Sequence, residues 1–111
     1  VVLLYTTWPD DQEAVTVARG LLDQRLIACA NILPAHQALY RWEGAVRSDR
    51  EHVVLFKTTT ALLTTVRQKI TFLHPYDEPC ILALSVEELA SAPGFLKWLE
   101  NETLPPTGLY T

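Results

Sequence analysis

The chain has 111 residues, 49% of them apolar and 20% charged, which excludes a largely disordered polypeptide and allows one domain rather than two. Nine Lys+Arg against 13 Asp+Glu give a formal net charge of −4, so the basic face that nucleic-acid binding needs is not expected. No apolar run approaches the roughly 20 residues that span a bilayer. Residue 1 is Val and the chain has no Met, so the translated start is expected upstream, with room for a removed targeting peptide.

Val1 to Tyr5 reads as a short buried strand, ended by Thr6-Thr7-Trp8-Pro9. Asp10 and Glu13 have the spacing of a helix N-cap with a reciprocating carboxylate. Ala14, Val17, Ala18, Leu21 and Leu22 then mark one face of a helix to about Gln24. Gly20 within it costs about 1 kcal/mol relative to Ala, which predicts a close approach at that point. Leu26 to Leu33 is a second apolar run, interrupted by Pro34, and strand character resumes from Gln37 to Trp42. Glu43-Gly44 makes a turn, and Glu51 to Thr58 is a strong returning strand. Thr60 is expected to cap a second helix whose stripe is Leu62, Leu63, Val66, Ile70 and Leu73. That helix must stop near His74, because Pro75 drives the preceding residue out of helical space. Cys80 to Val86 is the last strand, Ala92-Pro93-Gly94 opens a short helix, and Leu104-Pro105-Pro106 ends it before an irregular tail.

The order β-α-β-β-α-β with an extra C-terminal helix predicts an α+β, ferredoxin-like antiparallel sheet with helices on one face. The 17 positions from Leu26 to Trp42, at about 3.3 Å each, reach roughly 55 Å. A compact domain of this size has a radius of gyration of only about 13 Å. The hairpin must therefore bend at Pro34 or project beyond its own domain. A projecting apolar hairpin needs another surface to cover it, which predicts a homo-oligomer.

No phosphate-cradling, nucleophile-elbow or helical metal motif is complete. Tyr40 and Trp42, two apart, share a strand face and form either a ligand-pocket wall or a subunit contact. Lys57, inside an apolar strand, either binds an anion, pairs with Asp49 or Glu51, or faces solvent. His74 either caps the preceding helix or serves as a ligand on a rigid Pro turn. Cys29 and Cys80 form no C-x-x-C; they read as buried, reduced thiols of a cytoplasmic protein, with Cys-plus-His metal ligation as the other reading. His36 and His52 read as surface residues.

T-x-W-P-D at Thr6 to Asp10, L-I-A-C-A-N at Leu26 to Asn31, Y-R-W-E-G at Tyr40 to Gly44, F-K-T at Phe56 to Thr58 and H-P-Y at His74 to Tyr76 occur in order. Together they resemble the CutA family of divalent-cation tolerance proteins, from about residue 1 to 102. The resemblance implies a homotrimer of ferredoxin-like subunits, similar to the PII signalling proteins, with long hairpins paired between neighbours. It implies an intersubunit cleft at Asn31, Tyr40, Trp42, Lys57, His74 and Tyr76. It links bacterial members to copper and other divalent metals, and animal members to membrane anchoring of acetylcholinesterase, with no established enzymatic reaction. Thr7 and Leu73 stand where metal-binding members carry Cys and His, and Cys80 replaces a Glu, which leaves His74 with Cys29 or Cys80 as the remaining metal candidates. The reading is a single-domain (1–111), non-enzymatic, trimeric sensing protein for copper, another divalent metal or a small polar molecule. The alternatives are a scaffold trimer without a ligand, or a hydrolase.

Overall fold

Val2–Trp8 form β1, the strand that carries a partner on each side in the computed structural model, which describes residues 1–105. Val2, Leu4, Thr6 and Trp8 turn inward, so the strand runs three residues past the expected end at Tyr5. The alternation continues through Thr6 because its hydroxyl is satisfied. Thr6 Oγ1 donates to the Val54 carbonyl at 2.8 Å and accepts the Trp8 indole N–H at 2.7 Å.

Helix α1 spans Asp11–Asp23 and Asp10 is its N-cap as expected, its carboxylate accepting the Gln12 N–H at 2.8 Å. The helix ends in a Schellman arrangement: Arg25 N–H reaches Leu22 O and Leu26 N–H reaches Leu21 O, both at 3.0 Å. Arg25 sits there at φ +57°, a place where Gly is usual. Its guanidinium donates to the carbonyls of Asn101 at 2.7 Å and Glu102 at 3.1 Å, capping the end of the C-terminal helix α3 (Pro93–Glu102). Gly20 makes no close approach: a Cβ there would meet nothing within 4 Å, so its cost is not repaid by packing within the chain.

Strands β2 (Cys29–Trp42) and β3 (Ala45–Thr58) form the hairpin. Glu43 at φ +49° and Gly44 at φ +79° make its two-residue turn, of the type whose twist suits paired strands. Ile32 pairs with Val54 and Ala35 with His52, so three steps on β2 match two on β3. The extra residue is a bulge at Leu33–Pro34, which accommodates a proline without an N–H. His52, expected as a bare surface residue, is half-buried, and its Nδ1–H donates to the Leu33 carbonyl at 2.9 Å inside that bulge.

A 3₁₀ turn at Thr60–Leu62 leads into α2, Leu63–Leu73. Thr60 does not cap the helix; it is the first residue of the turn, which delays the α-helix to Leu63. His74 is extended (φ −73°, ψ 143°), as Pro75 requires. Strand β4 is Ile81–Ser85, inside the predicted Cys80–Val86. Pro93 opens α3 in its first turn, where a missing N–H costs nothing. The expected tail from Pro106 lies outside the described residues.

The strand order is β2-β3-β1-β4 with every neighbour antiparallel, the ferredoxin-like arrangement. Both α1 and α2 pack on one face, where Leu4, Trp8, Leu21, Val54, Phe56 and Ile70 form the core. The other face is open: Leu82 and Leu84 are 58% and 48% exposed. Strand β1 pairs with β3 only from Thr58 to His52, so among the described residues the hairpin beyond His52 pairs with no other strand. The molecule extends 48 Å along its longest axis and has a radius of gyration of 15.1 Å, so the hairpin both bulges at Pro34 and projects.

Candidate functional site

The bulge decides which side chains the site can use. On an unbroken strand Asn31 and Tyr40, nine positions apart, would face opposite sides. The extra residue at Leu33–Pro34 reverses the alternation, so Ala38, Tyr40 and Trp42 share the helix-free face with Asn31 and with Glu51 of β3. This face and the turn after α2 bound a groove of about 940 Å³. Tyr40 and Trp42 come from the hairpin, Tyr76 and Cys80 from the turn, and Tyr5 and Thr7 from β1.

His74 fixes the turn. Its Nε2–H donates to the Thr7 carbonyl at 2.8 Å, and its Nδ1 accepts the Tyr76 N–H at 3.0 Å. That pattern requires one neutral tautomer and uses both ring nitrogens. The ring is buried against Trp8, with centroids 4.2 Å apart, and against Tyr76 at 5.1 Å. The imidazole therefore ties β1 to the turn and sets the position of Tyr76.

The groove is anionic. The Tyr40 hydroxyl donates to the Asp49 carboxylate. That bond foremost, then desolvation and the charges of Asp49 and Glu51, raises the Tyr40 pKa above its ordinary value. Tyr76 is also raised, first by partial burial and then by the charges of Glu51, Asp49 and Glu13.

Of the six predicted cleft residues, one chain brings Tyr40, Trp42 and Tyr76 together in the groove, with His74 directly behind Tyr76. Asn31 shares the face but does not line the groove. Lys57 lies ten residues along β3 from Arg47, the register partner of Tyr40, which is roughly 33 Å. Its ammonium sits 5.3 Å from the centre of the Phe95 ring, and among the described residues it makes no ion pair with Asp49 or Glu51. Those acids lie on its own strand, too far away to reach. Tyr5, Arg47 and Glu78 also line the groove, and none of the three belongs to a motif that marks it as a site residue. Tyr5 was legible as the outward neighbour of Leu4 in the β1 alternation.

A resident metal does not fit His74 as it stands, because a metal would have to displace one of its two hydrogen bonds. Cys29 pairs across the sheet with Lys57, whereas the Thr7 bonded to His74 pairs with Val53, about 13 Å further along β3. Cys29 and His74 therefore do not form a ligand pair within the chain. Both cysteines are free, and both are half-buried rather than buried, since Cys29 faces the open side of the sheet and Cys80 the groove. Among the described residues, no three His, Cys, Asp or Glu side chains stand close enough to hold a metal ion.

Residues 2–102 match the family described as CutA1 divalent ion tolerance protein. The divalent-cation tolerance protein CutA of Pyrococcus horikoshii is 42% identical over 103 residues, covering 93% of this chain and 98% of that one. A crystal structure of a point mutant of CutA1 from the same organism aligns with a TM-score of 0.87 at 41% identity, over 95% of this chain and all of that one. The divalent cation tolerance protein (Cut A1) from Thermus thermophilus aligns with a TM-score of 0.87 at 37% identity, over 93% and 98% of the two chains. A structure described as the periplasmic divalent cation tolerance protein CutA from Archaeoglobus fulgidus aligns with a TM-score of 0.85 at 31% identity, over 91% and 96%. The ordered motifs, the sheet topology and these likenesses agree that the chain belongs to the CutA1 family of divalent ion tolerance proteins.

Proposed function

We propose that this CutA1-family chain is a non-enzymatic binding protein, acting as a homotrimer, whose ligand is a small polar molecule held in the groove and closed over by a neighbouring subunit. One observation carries the reading: three aromatic side chains from two separate segments, Tyr40 and Trp42 from the hairpin and Tyr76 from the turn, converge on one groove. Trp42 is 52% exposed, a large apolar area to leave in water. Leu82 and Leu84 on the open sheet face need the same cover, and neighbouring copies would supply it. Lys57, at the far end of the sheet, would join such a cleft only from another subunit. The test is a thermal-shift screen of small amines, carboxylates, amides and sugars against the wild type and Trp42→Ala. At least one class should raise the melting temperature of the wild type and lose its effect in the variant. A flat response for all four classes contradicts the reading.

Copper or another divalent metal at His74 is the second reading, supported by the family's association with divalent cations. Copper(II) titration of the wild type and His74→Ala separates the two. Equal affinities remove His74 as a ligand, and a tenfold or greater loss restores the metal reading. Cytoplasmic residence belongs to the same proposal, because two free cysteines suit a reducing compartment. Fractionation distinguishes it from the periplasmic placement given for the Archaeoglobus fulgidus relative.

A further inference from the structure

We infer that the groove selects an organic cation, an alkylammonium group seated against the hairpin aromatics; this rests on the groove being the ligand site. Charge complementarity argues for it. Among the described residues, Glu51, Asp77 and Glu78 line the groove against a single cation, Arg47, whose guanidinium leans towards Glu43 at 4.0 Å. The carboxylate of Asp49 stands beside the same wall on the Tyr40 hydroxyl. The Tyr40 pKa is raised first by its bond to Asp49 and that of Tyr76 first by partial burial, and the charges of Asp49 and Glu51 add to both.

The walls argue for the chemical class of the cation. The rings of Tyr40 and Trp42 stack on no other aromatic ring among the described residues, and they are 38% and 52% exposed in the single chain. A cation lying over such a face is attracted by the ring quadrupole, most strongly by Trp. A hard divalent ion needs about six oxygen ligands drawn close together. The groove's acids do not gather in that way: no three of them meet metal-holding proximity among the described residues. Negative charge spread along an aromatic wall suits a larger, weakly hydrated cation whose apolar body buries against Ala38 and Pro75 while its charge faces Glu51.

The test uses three probes of similar shape on the purified protein in its own assembly state: tetramethylammonium, neutral tert-butanol and anionic pivalate, each followed by tryptophan fluorescence. Tetramethylammonium should saturate, pivalate should not, and added salt should weaken the cation's binding. Trp42→Ala and Glu51→Gln, each checked for an unchanged far-UV spectrum, should weaken tetramethylammonium about fivefold or more. Binding of pivalate or tert-butanol in preference to the cation overturns the charge selection while leaving the groove as a ligand site. Tetramethylammonium binding that survives both substitutions places the cation elsewhere and overturns the inference. No saturation by any probe also overturns it, and the four-class screen then decides separately whether the groove binds anything.

Discussion

The inner half of the hairpin, where Val54, Phe56 and Thr58 are buried against α1 and α2, contrasts with the outer half beyond His52. Both halves belong to one antiparallel pair, offset by one residue at the bulge, and both are extended. In the inner half, side chains alternate between a packed core and an open face. In the outer half, both faces are exposed: Leu39 and Val46 are 68% and 67% accessible on one side, and Trp42 is 52% accessible on the other. A two-stranded hairpin without a packed face is marginal in water. The same backbone pairing thus serves two purposes. The inner half builds the domain, and the outer half leaves its side chains exposed in the single chain.

The largest expected effect tests the inner half. Phe56→Ala removes a fully buried ring and should destabilise the chain by about 3–5 kcal/mol in denaturant unfolding. Trp42→Ala, in the outer half, should change the stability of the separated chain by no more than about 0.5 kcal/mol; a loss matching that of Phe56→Ala would erase the contrast.

Next comes the tie between β1 and the turn that faces the outer half across the groove. His74→Ala orphans the Thr7 carbonyl and the Tyr76 N–H and should cost about 2–3 kcal/mol. His74→Gln, whose amide N–H can replace Nε2–H, should recover part of that loss. Recovery by Gln distinguishes a hydrogen-bonding role from simple filling of space.

A smaller gain is expected at the tip. Glu43→Asn places a residue that tolerates φ +49° in the turn and should stabilise the hairpin by about 0.5–1 kcal/mol, read from amide exchange of the outer strands. The smallest effect is the alkaline titration of Tyr40. A raised pKa means that the Tyr40–Asp49 bond contributes its full stability below the ordinary value of 10.0 and loses it as pH rises through the higher folded value. Absorbance should show tyrosinate formation above the ordinary range, and Asp49→Asn should move it down.

The sequence showed the element order and the topology because the periodicities are strong and Pro34, Pro75 and Pro93 punctuate them. It misplaced the end of β1 because Thr6 and Thr7 look like loop residues until Thr6 is seen to satisfy both Trp8 and Val54. It also expected close packing at Gly20, where the helix surface is open. Tyr40, Trp42 and Tyr76 were legible as a group, two of them by strand spacing and the third through the family motif. That Asn31 shares a face with Tyr40 was not legible from strand spacing, since one inserted residue reverses the alternation. The role of His74 was open for a similar reason. A sequence shows a His after a helix, whereas only the fold shows Thr7 and Tyr76 occupying both nitrogens.

The central claim is that the outer hairpin and the open sheet face are completed by other copies of the chain. Sedimentation equilibrium at micromolar concentration tests it most directly. The account predicts a single species at three times the 12.5 kDa chain mass, which shifts toward the monomer when Leu39 and Val46 are both changed to Asp. A wild-type species at 12.5 kDa across that concentration range would contradict it.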